Sequence, residues 1–303
     1  MRNRRPRSVG CHLGAVHGPG RTVGRVDATT SRPDADQISA TAGAGSGGGA
    51  VGAIVVPARF NGPPGSANGG WISGTLAGYL DDAGTDTAPG RVAEAVLRAP
   101  TPLEVPLAVE PADDGGVRLV RGGTVLVEAH AAESTDLGDS PPFIELDEAE
   151  RAAAALFATS THPFPGCFGC GTGRPVGDGL RILPGQVAGG PPGLVATAWT
   201  VDHSLAEADG TVGRHLLWSA LDCPSFWAHQ ATMPTDGLAA LLARQAVSAT
   251  GTVTPGETYV VVARADAADG RKLRASSALY TADGRLLASS TSLWIRIQSV
   301  PRP

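Results

Sequence analysis

The chain has 303 residues, 42% of them hydrophobic and 17% charged, with a formal net charge of -5, so no basic field invites a nucleic acid. Four cysteines are too few for a disulfide framework at this length, and no apolar run approaches the roughly 18 residues that cross a membrane. A cytoplasmic protein without a nucleic-acid or membrane partner is expected, because the Arg-rich start "MRNRRPR" is not followed by the apolar core of an export signal.

Residues 1–52 mix Arg, Gly, Ser, Thr and Asp with almost no large apolar side chain, a composition that cannot offset its ordering entropy by burial. They are expected to form a disordered arm; a misassigned start codon would account equally well for their first part. From Ala53, "AIVVPARF" reads as a strand, and behind the Gly-rich loop "WISGTLAGYL" reads as a helix with Ile72, Leu76 and Leu80 on one face and Asn68 as its N-cap. Next come the strands "VAEAVLRA", "LEVPLAVEPA", "VRLVRG" and "TVLVEAHA", separated by the turns "DDGG" and "GG".

A connector with a short helix, "ELDEAERAAAALFAT", leads to a second unit of the same grammar. "LRILPG" and "LVATAWTV" read as strands, and "RHLLWSALDC" as a helix carrying Leu217, Trp218 and Leu221 that should stop at Pro224. The strands "LARQAVSATGTV", "TYVVVARADA", "RKLRASSALYT" and "RLLASSTSLWIRI" follow, with turns at Asp269-Gly270 and Asp283-Gly284. Strand, loop, one apolar helix and a meander thus occur twice, which suggests an α+β pseudo-dimer in which each curved antiparallel sheet wraps a central helix.

The stretches "RFNGPPGSANGGWISG", "HPFPGCFGCGTGRPVGDGLRILPG" and "LLWSALDCPS" resemble actinobacterial proteins of the acyl-CoA thioesterase superfamily that carry two hotdog domains in one polypeptide. The resemblance runs from about Ile54 to Ile297 and implies tandem hotdog domains over 53–138 and 176–298, joined by a connector over 139–175. It also implies hydrolysis of an acyl-CoA or carrier-bound acyl thioester, with no cofactor. A non-catalytic acyl-CoA binder and a hotdog enoyl thioester hydratase are the alternatives, although the hydratase pairing of Asp with His five residues on is absent. Sheet edges in two-domain hotdogs leave homodimerisation open.

A thioester carbonyl under attack becomes an oxyanion, which the free N–H groups and partial positive charge of a helix N-terminus would stabilise. Where many hotdog thioesterases carry His-Gly-Gly, this chain has Asn68-Gly69-Gly70. The Gly70 amide is the expected oxyanion donor, Asn68 the cap or carbonyl contact, and Gly69 and Trp71 substrate contacts; alternatively the glycines only permit tight packing. The carboxylate that related enzymes keep further along this helix would fall near the apolar Ala77, whereas the second half has Asp222 nine residues beyond Gly213. One composite site is therefore expected, with Asp222 as general base or nucleophile, against the alternative that Asp222 caps a turn at Pro224.

Gln245, Ser248 and Thr250 follow the second helix where the resemblance to two-domain thioesterases implies Gln and Thr or Ser groups that orient the water, against the alternative of plain strand residues; Gln245 and Thr250 are counted as substrate contacts. Arg271 and Lys272, with Arg274, are positioned after a hairpin turn to meet the phosphates of coenzyme A or simply to guard a strand edge. "HPFPGCFGC" offers His162, Cys167 and Cys170, but a zinc site needs further ligands from Cys223, His203 or His215, so no metal is expected and the cysteines read as small buried residues. The five tryptophans, Trp71, Trp199, Trp218, Trp227 and Trp294, read mainly as core. No G-x-S-x-G elbow, Walker loop or strand-coupled G-x-G-x-x-G is present.

Overall fold

The computed structural model describes residues 49–82, 90–157, 162–233 and 239–298, so the expected N-terminal arm lies outside the described residues except for its last four. The first half runs β1 (Gly52–Val55), a 3-10 turn (Ala58–Phe60), α1 (Gly69–Ala77), α2 (Tyr79–Asp82), β2 (Val92–Leu97), β3 (Pro106–Pro111), β4 (Val117–Arg121) and β5 (Thr124–Ala132). After α3 (Leu146–Phe157), the second runs β6 (Gly185–Gln186), β7 (Leu194–Thr200), α4 (Arg214–Gln230), β8 (Ala240–Ala249), β9 (Thr258–Asp269), β10 (Lys272–Thr281) and β11 (Leu286–Arg296). Gly270 and Gly284 take φ of 54° and 89° at the expected Asp-Gly turns, the left-handed region that glycine enters without a Cβ penalty.

All described strands form one antiparallel sheet in the order β1-β3-β4-β5-β2-β8-β11-β10-β9-β7-β6. The strand after each central helix returns to the middle, so β2 and β8 pair with each other, from Val92 opposite Ser248 to Val96 opposite Arg244. The two halves therefore repeat one topology about this seam. Glu94, buried at the seam, receives Arg244 from the other half and faces His130 at 3.6 Å.

Strand β9 shows why its sequence is an unbroken apolar run: Tyr259 and Val261 join the core shared with α1 and α4, while Val260 and Val262 join the cluster under α3. Burial on both faces removes the polar alternation. All five tryptophans are buried.

Two elements differ from the sequence expectation. Of "LRILPG" only Gly185 is strand, because Leu180 and Ile182 give their amides to the carbonyls of Phe168 and Gly169 in the cysteine loop instead. Helix α4 does not stop at Pro224 but continues to Gln230 with that proline inside it. Proline removes one helical donor, yet nearby carbonyls have side-chain donors, Ser277 Oγ on Leu221 O at 2.7 Å and Ser225 Oγ on Asp222 O at 2.6 Å. The helix is buried continuously from Leu216 to His229, and that burial outweighs the lost bond. Asp222 thus stands mid-helix and caps no turn.

Candidate active site

Helices α1 and α4 run antiparallel in close contact, and glycine sets their separation. A Cβ on Gly70 would stand 2.5 Å from Trp218 O and 2.7 Å from Asp222 Cβ, and one on Gly74 would stand 2.8 Å from His215 Cα. The Gly-x-x-x-Gly spacing therefore presents one bare stripe of α1 to α4. Tight packing is a real role of Gly70, and its effect is to bring the N-terminus of α1 onto Asp222.

Asp222 is 1% exposed. Its Oδ2 accepts the Gly70 amide at 2.9 Å and Asn68 Nδ2 at 3.0 Å, while its Oδ1 has no partner among the described residues. Burial outweighs these two hydrogen bonds and pushes the carboxyl up to about 7, with the neighbouring Cys167 adding to the rise. Asn68 also caps α1, its Oδ1 accepting the Trp71 amide at 2.9 Å. The amide side chain supplies an acceptor for the helix and, from its nitrogen, a donor for the carboxylate at once.

Asn68, Gly69 and Gly70 of the first half and Asp222 of the second are thus brought together, with one difference from the expected arrangement. The Gly70 amide, expected to face the substrate, is engaged by Asp222. Of the first amides of α1, Trp71 bonds Asn68 Oδ1 and Ile72 bonds Asn68 O, whereas the Gly69 amide has no partner among the described residues. Gly69 is partly exposed and lines the same cavity as Asn68 and Asp222. That cavity of about 390 Å³ lies between the loop 62–67, residues 97–101, the loop bearing His162 and Phe164, and the apolar side chains Phe226, Leu242 and Trp294.

The remaining candidates separate by contact. Trp71 is core, 2% exposed and stacked on Phe60 at 4.5 Å, and does not line the cavity. Gln245 is fully buried but spends its Nε2 on Trp218 O at 3.1 Å, bracing α4 rather than reaching the cavity. Ser248 donates to Gly90 O at 2.9 Å, and Thr250, just past β8, donates to Leu287 O at 3.2 Å. Arg271 and Lys272 stand at the β9–β10 turn outside the cavity, although Lys272 is in register with Ile295, which lines it.

The cysteine loop closes one wall. Phe168 gives its amide to Asn61 O at 2.8 Å, and Arg174 donates to Arg59 O at 2.9 Å, tying this loop to the one that precedes α1. Cys167, Cys170 and Cys223 are all buried and free. The Cys167 thiol is lowered well below its usual range by the Cys170 and Cys223 thiols, and Cys170 is raised by burial. His203 and His215 do not join them: the first belongs to a 3-10 turn, and the second lies edge-on to Trp71 with burial lowering its pKa to about 4.

Comparison with solved structures now decides the architecture. A TesB protein from Mycobacterium avium subspecies paratuberculosis superposes with a TM-score of 0.54 at 15% identity, over 81% of this chain and 92% of that one. The fold is a double hotdog. An acyl-CoA thioesterase II, TesB2, from Mycobacterium marinum gives a TM-score of 0.50 at 16% identity over 77% of this chain and 91% of its own. A protein described as a thioesterase II from Thermobifida fusca gives 0.53 at 13% identity over 82% and 93%. No protein-family model and no curated protein sequence matches the chain, so the likeness is one of structure. In this double hotdog no described helix is long and apolar enough to cross a membrane.

Proposed function

We propose that this double hotdog hydrolyses acyl thioesters, carried by coenzyme A or by a carrier protein, at the cavity between its halves. The observation that carries the reading is the pairing of a buried carboxylate bearing one unengaged oxygen with an unpartnered helix N-terminal amide, both on one apolar cavity. Asp222, oriented through Oδ2 by Gly70 and Asn68, takes a proton from water through Oδ1. The water oxygen bonds to the thioester carbon, and the carbonyl oxygen becomes an oxyanion held by the Gly69 amide and the positive end of α1. Collapse of that adduct breaks the C–S bond, the proton on Asp222 passes to the leaving thiolate, and free acid and thiol depart.

The thioesterases that share the fold support this reading, as does the apolar lining of Leu97, Phe226, Leu242 and Trp294, suited to an acyl chain. The test is release of free thiol from short, medium, long and aromatic acyl-CoA substrates and from acyl-carrier protein. Turnover on at least one class is expected. Tight acyl-CoA binding with no thiol released from any of them would overturn the catalytic reading in favour of a binding protein.

A further inference from the structure

The three described cysteines come from two separate stretches of chain, yet their sulfurs all lie within 4.8 Å of one another. Cys167 Sγ and Cys223 Sγ are 3.7 Å apart, far beyond the roughly 2.05 Å of a disulfide. Two thiolates on a tetrahedral zinc ion, each about 2.3 Å from the metal, stand about 3.8 Å from each other. The cluster therefore has the spacing of ligands around an ion rather than that of a bond. We propose that Cys167, Cys170 and Cys223 bind one zinc ion beside Asp222, with the fourth coordination position turned to the cavity. All three cysteines line that cavity. This inference does not depend on the thioesterase reading.

The local sequence is shaped to the cluster. Gly169, between the first two cysteines, is where a Cβ would stand 2.7 Å from Cys223 Sγ, so only glycine lets the third sulfur in. At Gly171 a Cβ would stand 2.4 Å from Cys167 O and 2.5 Å from Pro165 O, so glycine also closes the turn that presents the pair. Nitrogen donors, which apolar packing of thiols would not require, surround the sulfurs. Asn68 Nδ2 lies 3.9 Å from both Cys167 Sγ and Cys223 Sγ, and His162 Nε2 lies 3.2 Å from Cys170 Sγ.

His162 is a supporting donor and not the fourth ligand. Its Nδ1 accepts the Phe164 amide at 3.0 Å, which leaves the neutral ring's proton on Nε2, directed at Cys170. A hydrogen bond to a ligating sulfur is the type of outer-shell contact that tunes a metal site. Thiolate donors in a tetrahedral set select zinc among the common divalent ions, and the C-x-x-C spacing is that of one zinc knuckle, completed here by a cysteine of α4 instead of a second knuckle.

Titration of the fully reduced full-length protein with Co²⁺ and then Zn²⁺ tests the proposal without relying on activity. A thiolate-to-cobalt charge-transfer absorption that saturates near one equivalent and is abolished by one equivalent of Zn²⁺ is expected. Metal analysis of protein prepared without chelators should find about one zinc per chain, retained in Cys11→Ser and lost in Cys167→Ser and Cys170→Ser. His162→Ala should weaken zinc binding by about 10- to 100-fold. Absence of the charge-transfer band in folded, reduced wild type, or zinc retained at one equivalent in a folded Cys167→Ser variant, would overturn the assignment.

Discussion

Gly74→Ala tests the helix contact on which the site depends. The new Cβ would stand 2.7 Å from Trp218 Cγ and 2.8 Å from His215 Cα, the latter a backbone atom that cannot swing aside. Restoring ordinary contact requires α1 and α4 to part by about 0.7 Å, a gap that forfeits a quarter to a half of the dispersion well along the interface. Overpacking of this kind costs about 3 kcal/mol at its upper range, and replacing a helical glycine returns about 1 kcal/mol, so a net loss of about 2 kcal/mol is expected. Gly78, one further step along the same spacing, is the internal control. It is exposed with φ −59° and ψ −28°, and a Cβ there meets Thr75 O at 3.3 Å and Gly74 O at 3.9 Å. Gly78→Ala should therefore not lower stability and should raise it by up to about 1 kcal/mol. Urea unfolding at constant slope reads both changes. The reasoning is refuted if the two variants are equally stable, or if Gly74→Ala matches wild type.

Three further outcomes follow from the same contacts. Gly69→Pro deletes the amide assigned to the oxyanion at a first-turn position where proline fits, after an Asn68 already extended at ψ 130°; thiol release should fall about 10²- to 10³-fold relative to Gly69→Ala, which shares the crowding against Leu242 but keeps the N–H. Asn68→Asp keeps the helix cap but sets a second acceptor against Asp222, so a melting curve should show a loss of about 1.5–3 kcal/mol, whereas an unchanged midpoint would mean the Asn68–Asp222 hydrogen bond contributes nothing. Glu94→Ala leaves Arg244 without its carboxylate at the β2–β8 seam and should cost about 1–3 kcal/mol in urea unfolding, with Glu94→Gln milder; no difference from wild type would show the seam to be held by its strand pairing alone.

Much of this was legible in the sequence. The paired grammar of strand, loop, helix and meander matches the two halves of the sheet, Asn68 caps α1 as its position predicts, and the isolated acid in "LLWSALDCP" is the one that meets the N-terminus of α1. Three features were not, each because it depends on a partner distant in the chain. Helix α4 passes through Pro224 because elements distant in the chain bury it from Leu216 to His229, among them the strand bearing Ser277, whose hydroxyl serves the Leu221 carbonyl 56 residues away. Gly70 reads as a free amide until Asp222, 152 residues away, is seen to occupy it and to pass the open position to Gly69. Cys223 looks like a lone buried thiol until the fold sets it against the C-x-x-C turn. One local signal does mark the contact in the sequence: the spacing of Gly70 and Gly74 gives α1 a bare face that another backbone can approach.

The most direct test of the account compares thiol release by wild type and Asp222→Asn on the best acyl thioester, with the fold of both verified by their unfolding transitions. Asparagine preserves the shape and an acceptor for Gly70 and Asn68 but cannot take a proton from water. A general base contributes about 10²–10⁴ in rate, so a fall of at least about a hundredfold in kcat is expected. Equal turnover by the two proteins would contradict the role assigned to Asp222.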